Sequence, residues 1–121
     1  MREDRTDMAY DEKLGDRLRE IVAESGDFTE RKMFGGLAFM VKGHMCCGVI
    51  KEDMVVRVDP ERSEQLLKDK SARPMDFSGK PMKGFLYIAP AGLRTEKQLR
   101  RWVDEGLSFV ATLPPKSKKL K

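Results

Sequence analysis

One histidine and two cysteines in 121 residues leave little room for site chemistry. Any triad or histidine-based metal cluster has to use His44, because there is no second imidazole. His44 and Cys46 stand two apart on a predicted strand and offer zinc two ligands. Structural zinc takes four, and no second Cys/His pair completes the set. Cys46 and Cys47 are neighbours, so on a regular strand they point to opposite faces and are badly placed to bridge each other. They form no CxxC motif and read as small packing residues. A reactive thiol there would need a lowered pKa, for which Lys51, Arg57 and His44 are the available helpers. The phosphate-loop pattern GxxxxGKS/T, the dinucleotide pattern GxGxxG, HExxH and GxSxG are all missing. Asp53, Asp59 and Asp76 are scattered and single out no acid–base pair. No run of about 18 apolar residues exists to span a membrane as a helix. The first residues, MREDRTD, contain no apolar core of a secretory signal. These absences predict a cytoplasmic protein that is not an enzyme, with no catalytic residue, no metal and no cofactor.

Hydrophobic residues make up 40% of the chain and fall in periodic segments, which predicts one folded domain over residues 1–115. The formal charge is +4, but Lys116, Lys118, Lys119 and Lys121 supply four of the 24 basic groups. Without them 20 basic groups face 20 acidic ones, so a neutral body carries a basic, disordered tail at 116–121. Such a tail gives weak, salt-sensitive contact with phosphate or serves solubility alone.

Along the chain, residues 1–7 read as a frayed leader. Tyr10, Leu14, Leu18, Ile21 and Val22 recur at helical spacing between charged residues, so Met8–Ser25 is a predicted amphipathic helix stopped by Gly26. A meander follows, with strands at Arg31–Phe34, Leu37–Val41, His44–Ile50 and Met54–Val58. Lys42-Gly43 is a two-residue hairpin turn in which glycine supplies the positive φ. Alternation puts Leu37, Phe39, Val41, Met45, Cys47 and Val49 on a face under the helices. Ala38, Met40, His44, Cys46, Gly48, Val55 and Arg57 then form a second, mildly polar face. Asp59-Pro60 opens a second helix anchored by Leu66 and Leu67 and ending near Asp69 or Lys70. Ser71–Gly84 holds two prolines and two glycines and predicts a long loop without a regular element. Phe85–Ala89 is a fifth strand. Thr95 and Gln98 have capping-box spacing before a last helix with Leu99, Trp102, Val103, Leu107, Val110 and Leu113 on its stripe, stopped by Pro114-Pro115. Gly106 lies on that stripe and predicts close approach to a neighbour. The predicted class is α+β, two layers, with an antiparallel or mixed sheet of about five strands in the order α-β-β-β-β-α-β-α.

Two surfaces are candidates for recognition. The Arg73–Phe85 segment sets Arg73, Lys80 and Lys83 beside Met75, Phe77 and Met82, a mixture suited to a protein partner, although the same apolar residues also suit plugging the core edge. Recognition would use the second sheet face around Met40 and Cys46 as well, and an exposed face there makes a homodimer reasonable. The alternative is nucleic acid, bound weakly through Arg94, Lys97, Arg100 and Arg101 at the start of the last helix together with the tail. Glu96, Asp104 and Glu105 interleave with those cations.

Three motifs in order carry a family resemblance: KMFGGLAFM at 32–40, RPMDF at 73–77 and KPMKGF at 80–85, followed by a Trp-Val helix ending in Leu113-Pro114-Pro115. The set resembles the N-terminal domain of the TfoX/Sxy family, over roughly Leu14 to Lys116. The resemblance implies a two-layer fold similar to secretion-chaperone-like domains. It also implies a link to bacterial regulators of competence and DNA uptake that act with a cyclic-AMP-responsive transcription factor. Full-length regulators carry a second, helical domain after this one, so the chain is expected to be a stand-alone N-terminal domain. The resemblance supplies no catalytic residues; the expected function is a non-enzymatic protein-interaction module, with transcriptional co-regulation as the role the resemblance implies.

Overall fold

The computed structural model describes residues 10–33, 35–77 and 80–114, without the side chains of 77 and 80–83. The leader and the lysine tail expected from the sequence lie outside the described residues. The first helix, α1 (Glu12–Glu24), starts four residues later than its periodicity suggests. Asp11 is the reason: its carboxylate accepts from the amides of Lys13 and Leu14, a side-chain N-cap. Tyr10 is therefore off the helical stripe and forms a parallel bridge with Lys51.

Six strands follow: β1 (Thr29–Met33), β2 (Gly36–Val41), β3 (His44–Ile50), β4 (Asp53–Arg57), β5 (Ala72–Phe77) and β6 (Lys80–Ile88). They form one antiparallel sheet in the order β1-β2-β3-β4-β6-β5. Between β4 and β5 a single 3-10 turn, Pro60–Arg62, leads into the short helix α2 (Ser63–Leu66), with Asp59 accepting from the Glu61 amide. The last helix, α3 (Glu96–Ala111), opens on a complete capping box between Thr95 and Gln98.

The main core lies between the helices and one sheet face. Leu14, Leu18, Ile21 and Val22 of α1 and Leu99, Trp102, Val103 and Val110 of α3 pack on Leu37, Phe39, Val49, Met54, Val56, Leu86 and Ile88. Gly106 is where α3 comes closest to the sheet: a Cβ there would lie 2.7 Å from the Cys46 carbonyl oxygen and 3.0 Å from its Sγ. Arg19 of α1 ties down the edge strand β1 through Glu30 and lies over the Phe39 ring.

Two expectations are corrected. The segment 71–84 is not a loop: β5 and β6 pair as a hairpin, Arg73 opposite Tyr87 and Phe77 opposite Lys80. The prolines are tolerated because each sits where the sheet asks little of its missing N–H. Pro74 is on the edge strand, and Pro81 is on the part of β6 that extends past the residues paired with β4. Gly84 adopts φ +85°, a conformation open to glycine, and its carbonyl accepts from Val58 where β4 ends. The sheet therefore has six strands rather than about five.

The second correction concerns the faces. Strict alternation fails at a β-bulge: Phe39 pairs with Cys47 but Met40 pairs with Met45, which leaves Cys46 as an extra residue. Met45 is thereby turned away from the helices into a cluster with Ala38, Val55 and Met75. Cys46 joins Cys47 in the main core, and His44 reaches the carbonyl after α3. His44 and Cys46 thus leave the second face to which alternation assigns them, and Met45 enters it.

Candidate functional site

All three helices pack on one side of the sheet. The opposite, far face has an apolar cluster of its own, built only from residues standing on strands. Ala38, Met45, Val55 and Met75 are buried in it, and Met33, Met40, Ile50, Phe85 and Tyr87 are partly buried against them. Row by row, the register places Ala38, Gly48, Val55 and Tyr87 side by side across β2, β3, β4 and β6. No helix residue contributes to this cluster among the described residues. Val55 and Met75 are nevertheless fully buried. The covering is done by long side chains, among them Met33, Met40 and Met45, which are flexible and adapt to irregular surfaces.

Cations rim this face. Arg73 is exposed: its guanidinium carbon lies 4.7 Å from the Tyr87 ring centroid, and one terminal nitrogen bonds the Asp53 carboxylate at 2.7 Å. Arg57 lies between the rings of Phe85 and Phe109, 5.5 and 5.4 Å from their centroids. Arg31 shares the row of Ala38 and is exposed.

Of the six residues expected to bind a partner, Arg73 is on this rim and Met75 is under it, as floor rather than contact. The side chains of Phe77, Lys80, Met82 and Lys83 lie outside the described residues; their backbones belong to the β5–β6 hairpin. Sequence reasoning missed Met33, Ile50 and Tyr87 as members of the face. The signal that finds them is cross-strand register, which needs the pairing first.

The alternative basic site is partly neutralised. Arg100 pairs with Glu24 and Glu96, and Arg101 pairs with Asp69 while lying over the Trp102 ring. Arg94 and Lys97 are exposed, and neither pairs with a carboxylate among the described residues. Hydrogen bonding from Arg100 holds the Glu24 carboxyl below the usual range.

His44, Cys46 and Cys47 all lie in buried surroundings. A carbonyl only accepts, so His44 donates its Nε2–H to the Pro114 oxygen at 2.7 Å, and its Nδ1 is buried without a partner. Cys46 and Cys47 are free and buried. The Cys46 thiol beside it and complete burial push the Cys47 thiol well above the ordinary range, away from thiolate reactivity. Among the described residues no group of three or more His, Cys, Asp or Glu is placed to hold a metal ion. None of the described helices is long and apolar enough to cross a membrane. An open cleft of about 400 Å³ lies between the Asp59 turn and the end of α3, lined by Arg62, Asp104, Glu105 and Phe109 among others. Its main ion pair, Arg62 with Glu105, joins α3 to the 3-10 turn and is structural in character.

The family model of the TfoX N-terminal domain matches residues 20–110. The chain belongs to that family. The match takes in all six strands, the end of α1 from residue 20 and all of α3 but its last residue. The strands that build the far face and its arginine rim lie inside the matched region. A comparison with curated proteins finds no match.

Proposed function

We propose that the chain is a non-enzymatic protein-interaction module of the cytoplasm, a transcriptional co-regulator of the kind that its resemblance to competence and DNA-uptake regulators implies. The observation that carries this reading is the far face: a six-stranded sheet with helices on one side only, and a methionine-rich cluster on the other. A two-layer domain with such a face gains by covering it, because full burial of a side chain the size of Met or Phe contributes about 1.5–3 kcal/mol. The buried histidine and the raised Cys47 thiol support the non-enzymatic part. The ion pairs of Arg100 and Arg101 weigh against nucleic acid as the primary partner.

The test is affinity capture from native bacterial cytosol, with and without nuclease, at low and moderate salt. A protein retained after nuclease, and lost when the bait carries Met33→Ser with Met40→Ser, is the expected result. Recovery of nucleic acid alone, lost with rising salt, would transfer the function to Arg94, Lys97 and the tail.

A further inference from the structure

Strand β6 presents two aromatic rings to the far face, Phe85 and Tyr87, two residues apart. Each has an arginine directly opposite in register: Arg57 on β4 faces Phe85, and Arg73 on β5 faces Tyr87. Both guanidinium groups lie against those rings. Stacking fixes the plane of a guanidinium and leaves its N–H edge free for a planar acceptor. Arg73 uses one of its five donors on Asp53, and its side chain is 52% exposed. Arg57 pairs with no carboxylate among the described residues.

We infer that the far face takes an acidic amphipathic segment of a partner protein, its carboxylates bonding Arg57 and Arg73 and its apolar side chains resting on the methionines; this rests on the interaction-module reading above. The two arginines are two strand spacings across the sheet and two residues along it, about 12 Å apart at the backbone. Carboxylates about two helical turns apart span that distance. Between the arginines lie Phe85 and Tyr87 on β6, flanked by Val55 on β4 and Met75 on β5, an apolar floor with no charge to match.

Charge decides between occupants. Among the described residues, the charged ones whose rows fall on this face are Arg31, Asp53, Arg57 and Arg73, and Asp53 is already paired with Arg73. A second copy docked face to face would offer the same patch with its excess of arginine over carboxylate, and so would not supply the anions that patch lacks. Nucleic acid would place its phosphates beside Asp53 and leave the methionines against a polar backbone.

The test is a titration of the whole isotope-labelled chain, followed by backbone amide shifts, with defined probes. These are a Leu/Glu amphipathic peptide of about four helical turns, Leu/Lys and Leu/Gln peptides of the same pattern, and a short oligothymidylate. The Leu/Glu peptide is expected to shift the amides of Met33, Met40, Ile50 and Tyr87. Arg57→Gln and Arg73→Gln each weaken it about tenfold, the loss of a charge-assisted bond. Arg73→Lys, which keeps the charge and loses the fork, restores only part. If Arg57→Gln disturbs the fold by freeing Phe85 and Phe109, Arg73→Gln with Arg31→Gln carries the test. Equal binding of the Leu/Lys or Leu/Gln peptide at these amides would overturn the acidic preference and leave the face a docking surface. Shifts confined to α3, or none with any peptide, would overturn both readings. Displacement of the peptide by oligothymidylate would overturn a protein occupant. Shifts of the same amides with chain concentration alone would assign the face to a second copy and overturn the inference.

Discussion

Gly106→Ala sets two effects of known sign against each other. An alanine in the middle of a helix is worth about 1 kcal/mol more than glycine, so propensity alone stabilises the variant. The geometry opposes it: the new methyl would lie 2.7 Å from the Cys46 carbonyl oxygen, 3.0 Å from its Sγ and 3.3 Å from a Val56 methyl. The nearest atom is backbone in an interior strand, so relief has to come from lifting α3 off the sheet. That loosens Trp102, Val103 and Val110, all fully or almost fully buried. Overpacking of this kind costs about 1–3 kcal/mol, and with backbone as the obstacle the upper half of that range applies. The net expectation is destabilisation by about 1–2 kcal/mol. In urea, with a slope of about 1–3 kcal/mol per molar, the midpoint falls by roughly 0.3–2 M. Cys46→Ala removes the sulfur but not the carbonyl, so in a double-mutant cycle it recovers less than half of the loss. A midpoint that rises in Gly106→Ala would refute the close-approach reasoning outright.

Thr95→Ala removes the oxygen that accepts from the Gln98 amide. Its expected cost is about 1 kcal/mol, seen as a thermal midpoint about 4 °C lower by circular dichroism. Gly48→Ala puts a Cβ 2.4 Å from the Leu37 carbonyl oxygen across the β2–β3 pairing. It should cost at least as much as Gly106→Ala, checked in the same urea series. The Asp69 carboxyl is held below its usual range first by the Ser71 hydroxyl, then by the Ser71 amide, with a smaller part from Arg101. Because the folded pKa is the lower one, its stabilisation is complete above the ordinary carboxylate range and is lost as pH falls through the lowered value. Carboxyl titration by NMR should show Ser71→Ala raising the Asp69 pKa more than Arg101→Gln does.

Local signals in the sequence translated well. Lys42 and Gly43 both take positive φ, 55° and 85°, in the hairpin that their spacing predicts. The capping box, the Asp59 cap and the approach at Gly106 are likewise where the residues put them, since each depends on a few neighbours. What failed depends on distant pairing. The bulge at Cys46 carries no mark in β3 itself, whose side chains suit either register, yet it reverses Met45, Cys46 and His44. The hairpin of β5 and β6 was hidden because Pro74 and Pro81 break central strands but not an edge strand or an overhanging end. The recognition surface follows the same division. Arg73 stands out in the sequence by its motif, whereas Tyr87, Met33 and Ile50 join it only through the row-by-row register of six strands.

The most direct measurement of the central claim is a comparison of single-residue baits on the two faces in nuclease-treated native extract. Met40→Glu puts a like charge and a desolvation cost where an acidic, apolar partner would sit; Lys97→Glu alters the helix face and leaves the far face intact. The expected result is loss of the captured protein with Met40→Glu and full retention with Lys97→Glu, both variants melting as the unsubstituted chain does. Retention with Met40→Glu and loss with Lys97→Glu would contradict the account and move recognition to α3.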